Sequence, residues 1–109
     1  MNDLQARVAR SADAADLHAP VPTLLLELQT LLGTLTATVT AATERGRRPF
    51  RPDADWGARL GELAYGVYLL ADQSAVDVAQ AVEHTAQELE LRGRQAQAQA
   101  ESGWPFEER

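Results

Sequence analysis

Residues 22–44 read PTLLLELQTLLGTLTATVTAATE, and this stretch decides the fold. Leu24, Leu28, Leu31, Leu35, Val39 and Ala42 recur at steps of three or four, the stripe of a helix packed on other helices. A second period competes with it. Thr34-Leu35-Thr36-Ala37-Thr38-Val39-Thr40 alternates as a half-buried strand does, and β-branched threonines favour a strand. The leucine stripe extends upstream of that alternation, and no other segment offers a strand partner, so a helix is expected.

Proline-marked breaks bound this helix, at Ala19-Pro20-Val21-Pro22 and from Gly46 through Pro49 to Pro52. Working outward gives four helical segments, about 2–17, 22–44, 54–72 and 75–100, with an arginine/proline loop at 45–53 and an aromatic C-terminal tail at 101–109. The third segment places Trp56, Leu60, Leu63, Val67 and Leu70 on one stripe, and Tyr65, Tyr68 and Leu69 widen it, so burial on more than one side is expected. Asp53 or Asp55 is a candidate cap for its start, and Ser74 for the start of the fourth. The fourth segment uses Val78, Val82, Thr85 and Leu89, then turns polar at Gln95, Gln97 and Gln99. The expected fold is all-α, a four-helix bundle forming one domain over residues 1–109.

Composition narrows the chemistry. The chain has 109 residues, 45% of them hydrophobic, enough for one domain with a packed core. A net charge of −6 argues against nucleic acid as a partner, because phosphates are repelled. There is no cysteine, which excludes disulfides, thiolate metal sites and a cysteine nucleophile. Lysine is also absent, which excludes Schiff-base chemistry and a P-loop. His18 and His84 lie far apart with no metal-ligand spacing, and none of Ser11, Ser74 and Ser102 sits in a nucleophile elbow. The longest apolar run, Leu63 to Ala71, is too short to span a membrane, and charges crowd the N-terminus. A cytoplasmic protein without a membrane partner is expected.

Three stretches carry more specific information: Leu28-Gln29-Thr30-Leu31-Leu32-Gly33-Thr34-Leu35, then Arg59-Leu60-Gly61-Glu62-Leu63, then Val67-Tyr68-Leu69-Leu70-Ala71-Asp72 leading to Val76-Asp77. Over residues 20–95 the chain resembles the MazG-like all-α nucleoside triphosphate pyrophosphohydrolases. Gly33, Gly61, Leu28, Leu35 and Leu63 fall in register with that framework. Those enzymes carry Glu-Glu-x-Gly-Glu-Leu on one helix and Glu-x-Gly-Asp on the next. The resemblance implies a bundle of that type, acting on a triphosphate through magnesium held by the converging carboxylates. In this chain the first three acids correspond to Thr30, Leu31 and Thr34, and the fourth to Arg59. Only Glu62 keeps a carboxylate, in place of aspartate. Glu27, one turn before Thr30, supplies a second acid if the register shifts.

These departures imply a protein that has lost metal-dependent hydrolysis, with no cofactor and no metal ligand, and that acts by binding or regulation. Its pocket candidates are Glu27, Thr30, Thr34, Arg59 and Glu62, and an anionic small molecule or nucleotide is the expected ligand class. If hydrolysis is retained instead, Glu62 is its catalytic candidate and magnesium its cofactor. A third reading is a helical homo-oligomeric module without a ligand. The blander account of the same positions is a polar threonine stripe and a surface pair between Arg59 and Glu62.

Two features lie outside the motif. Residues 45–52 carry four arginines and no acid within an acidic chain, so Arg47, Arg48 and Arg51 are candidates for anion binding. Trp104 and Phe106 flank Pro105 near the C-terminus and are interface candidates. A homo-oligomer, a dimer through the leucine-rich second and third helices, is expected.

Overall fold

The computed structural model describes residues 3–102. Its four helices are α1 (Asp3–Ala15), α2 (Val21–Ala42), α3 (Trp56–Gln73) and α4 (Val78–Ser102), with no strand among the described residues. The all-α expectation holds. The helices group as two compact units, Met1–Asp77 carrying α1 to α3 and Val78–Arg109 carrying α4.

The strand-like alternation of residues 34–40 is absorbed into α2 by its own hydroxyls. Thr34 Oγ1 donates to the Thr30 carbonyl at 3.1 Å, Thr36 to Leu32 at 2.9 Å and Thr38 to Thr34 at 2.9 Å. Each bond returns to the preceding turn, so these side chains lie along the helix instead of pairing across a sheet. Pro20 and Pro22 start α2, where their missing N–H groups would be unpaired in any case. Its end is a tight reversal: Glu44, Arg45 and Gly46 all adopt positive φ, at 50°, 62° and 89°. Thr43 anchors that turn, with its hydroxyl donating to the Val39 carbonyl and accepting from the Gly46 N–H.

α2 and α3 run antiparallel, as the pairings of Thr38 with Arg59 and of Leu28 with Gly66 require. Gly66 makes the contact close. A Cβ added there would stand 2.6 Å from Leu28 Cδ2 and 3.4 Å from its Cγ. α1 packs on α3 through Val8 and Ala12, which form a buried cluster with Leu24 and Leu69. Gln5 is fully buried in this unit and donates from Nε2 to the Val76 carbonyl at 2.7 Å. The Tyr65 hydroxyl contacts Ser11 Oγ at 2.7 Å and donates to the Val8 carbonyl at 3.4 Å, tying α1 to α3 again.

Three local expectations need correction. Ser74 does not start the fourth helix; it caps the end of α3, where its hydroxyl donates to the Leu70 carbonyl at 2.7 Å. Asp55 occupies the N-cap position of α3 without a side-chain bond, while Asp53 Oδ1 accepts from the Asp55 N–H at 2.9 Å, in the turn just before the helix. The α3 stripe expected to be buried is largely open at Leu60 and Val67, whereas Leu69 and Ala71 are buried. The reason is directional: α1 covers the Tyr65–Leu69 face of α3, whereas Leu60 faces an open trough that it shares with Leu32, Leu35 and Val39 of α2.

Within its own unit, α4 exposes every side chain from Gln80 to Glu101. Val82, Thr85 and Leu89, with Ala81 and Ala86, line an open apolar trough on it. His84–Glu88 at 3.1 Å and Arg92–Glu88 at 3.8 Å are exposed i, i+4 pairs, and they account for His84.

The Gly66 contact predicts a contrast between two glycines of one helix. Gly66→Leu should lower unfolding stability by about 1–3 kcal/mol, since the larger side chain must displace Leu28. Gly61→Ala, with nothing within 4 Å of the new Cβ, should raise it by about 0.5–1 kcal/mol through helix propensity. Urea unfolding of the two variants checks both signs.

Candidate functional site

A groove between α2 and α3 brings together some of the positions that the resemblance singles out. Leu24, Glu27, Leu28 and Leu31 come from α2, and Ala58, Gly61, Glu62, Tyr65, Gly66 and Leu69 from α3, with Leu17 beside them. Its volume is about 590 Å³, within the range of small-molecule sites. The small residues Ala58, Gly61 and Gly66 leave room along α3, and the leucines supply apolar walls.

Two of the five pocket candidates meet here. Glu27 and Glu62 both line the groove, both are exposed, and neither has an ion-pair partner among the described residues. Thr30 and Thr34 do not line it. Thr30 Oγ1 donates to the Leu26 carbonyl at 3.2 Å, and Thr34 to Thr30, so both hydroxyls serve their own helix. Arg59 stands outside the lining as well. Its half-buried guanidinium donates from Nη1 to Thr38 Oγ1 at 2.8 Å, so it bridges the two helices instead of pairing with Glu62 as the surface-pair reading expected. Among the described residues no group of three or more histidine, cysteine, aspartate or glutamate side chains could hold a metal ion.

Tyr65 and the leucine walls are lining residues that sequence reasoning did not assign to a pocket. Tyr65 registered there only as extra apolar surface. The spacing of Ala58, Gly61, Tyr65 and Gly66, at steps that keep them near one face of α3, is the signal that would have found it.

The arginine loop is held by the reversal at the end of α2. Arg48 Nε pairs with Glu44 Oε2 at 2.9 Å, one turn away, while Arg47 and Arg51 have no ion pair among the described residues. Arg48 and Arg51, with Ala42 and Pro49, line a shallow depression. Phe50 packs edge-on against Trp56, with ring centroids 4.8 Å apart, and closes the loop onto the start of α3. Trp104 and Phe106 lie outside the described residues.

A second face of the hairpin is apolar and open. Leu32, Leu35, Thr36, Val39, Trp56, Leu60 and Leu63 line it, with Leu32 54% and Leu60 44% exposed. α2 is also long and apolar enough, by length and composition, to cross a membrane, and 11% of its most apolar window is buried. A search for uninterrupted apolar runs overlooks this, because Glu27 and the threonines break the run without making the helix polar.

His18 contacts Asp13 Oδ1 through Nε2 at 2.7 Å and Gln73 Oε1 through Nδ1 at 3.3 Å. Partial burial pulls its pKa down, but the Gln73 hydrogen bond and the Asp13 charge outweigh that, and the net shift is upward from 6.5. A raised folded pKa adds stability that is fully present below the unfolded value and is lost as pH rises through the folded one. Thermal unfolding between pH 6 and 8 should therefore show the wild type losing stability with pH relative to His18→Gln. Parallel curves would contradict the linkage.

Against family models, curated proteins and solved structures, the chain has no match. The functional reading therefore rests on the α2–α3 residues themselves.

Proposed function

We propose that this chain is a non-hydrolytic binding protein of MazG-like type, working as a homodimer in the cytoplasm. One observation carries the reading. The positions where the resemblance calls for metal-binding carboxylates hold side chains that are already engaged elsewhere: Thr30 and Thr34 on carbonyls of α2, and Arg59 on Thr38. An arginine beside the last acid repels a divalent cation, and leucine at position 31 offers magnesium no oxygen. The groove itself stays open and apolar, which suits a ligand.

The open Leu32–Leu60 face supports the dimer. Contiguous leucines of this kind on a small unit mark a surface that is covered in use. The cytoplasmic reading of α2 is supported by Glu27 and by the polar Arg59–Thr38 bridge, both costly in hydrocarbon.

Two measurements test the proposal. Incubation with a panel of nucleoside triphosphates and magnesium or manganese should release no pyrophosphate above a protein-free control, and turnover lost in Glu62→Gln would overturn it. Light scattering behind size exclusion should give twice the chain mass of 11.9 kDa. Leu32→Glu and Leu60→Glu should shift that mass to the monomer while retaining helicity, since both side chains are exposed. A monomeric wild type would remove the dimer.

A further inference from the structure

We infer that the α2–α3 groove takes a small organic cation with an apolar body, such as an alkylammonium, and not an anion. The inference deepens the reading of the groove as a binding site and rests on it. Among the described residues, the charged side chains in the lining are Glu27 and Glu62. Neither carboxylate is paired with a cation among the described residues, so both remain available to a ligand. The nearest candidate for an anion clamp, Arg59, has turned to Thr38 and is absent from the lining.

The rest of the wall is Leu17, Leu24, Leu28, Leu31 and Leu69 with one aromatic ring, Tyr65. That ring's hydroxyl is already engaged by Ser11 and Val8, which fixes the side chain. A phosphate entering this groove would meet two negative charges and no positive one. An ammonium would find two acceptors and an aromatic ring, while its carbon chain displaced water from the leucines. A volume of about 590 Å³ accommodates such a molecule without rearrangement.

The test is a titration followed by the backbone amide signals of Gly61 and Gly66, which report on this groove and not on the other open faces. The probes are n-hexylamine, the neutral 1-hexanol and the anionic hexanoate, at neutral pH and low salt. Hexylammonium should bind about five- to tenfold more tightly than hexanol, the order of two exposed charge pairs, and hexanoate should bind least. In Glu27→Gln/Glu62→Gln the preference for the amine over the alcohol should vanish. Both residues are exposed, and far-UV circular dichroism checks that the variant is folded. Equal binding of amine and alcohol, or an amine preference that survives in the double variant, overturns the cation inference and leaves the groove as a binding site. If none of the three probes moves the two glycine signals, the binding reading falls as well.

Discussion

The close approach of α2 and α3 at Gly66 and Leu28 is the constraint on which the rest of the first unit depends. Only a residue without a Cβ lets the Leu28 side chain lie this near the α3 backbone. That contact sets the depth of the groove beside it, since Leu28, Leu31 and Gly66 are among its lining. Further along the pair, the Arg59–Thr38 hydrogen bond joins the two helices again. Together the two contacts fix the register of the hairpin, and register decides which side chains can share a site.

Register also decides which oxygen ligands could meet at one point between the two helices. A divalent ion needs several oxygen ligands converging from both helices. Here the Thr30 and Thr34 hydroxyls are spent on the preceding turn of α2, and the Arg59 guanidinium is spent on bridging the helices. Glu27 and Glu62 line the groove with no third acid beside them among the described residues, so the electrostatics there favour an organic cation over a phosphate. The arginines that could attract an anion sit instead on the reversal after α2, where Arg48 is paired with Glu44.

Much of the fold was legible because it follows from periodicity. The leucine stripe from Leu24 to Val39 is a helix, and the alternating threonines within it are a helix too, since a hydroxyl can return to the carbonyl four residues earlier. Ser74 was misread because a serine between two helices fits the end of one as well as the start of the next; the bond to the Leu70 carbonyl decides it. Leu60 and Val67 were expected inside because stripes carry no information on which neighbour covers them. Of the groove lining, the sequence had singled out Glu62 through the resemblance and Glu27 through a shifted register. It had not singled out Tyr65 and the leucine walls, since their role depends on the cross-helix pairing of Leu28 with Gly66.

Loss of the metal site is the claim on which the functional reading turns, and manganese tests it directly. In a titration with this paramagnetic ion, amides near a bound metal broaden in a saturable way. The expected result is no selective broadening of Glu27, Gly61 or Glu62 at sub-millimolar manganese, with only weak, uniform effects on exposed acids. Saturable broadening centred on those three amides, and abolished in Glu62→Gln, would show that a divalent-cation site persists and would contradict the proposed function.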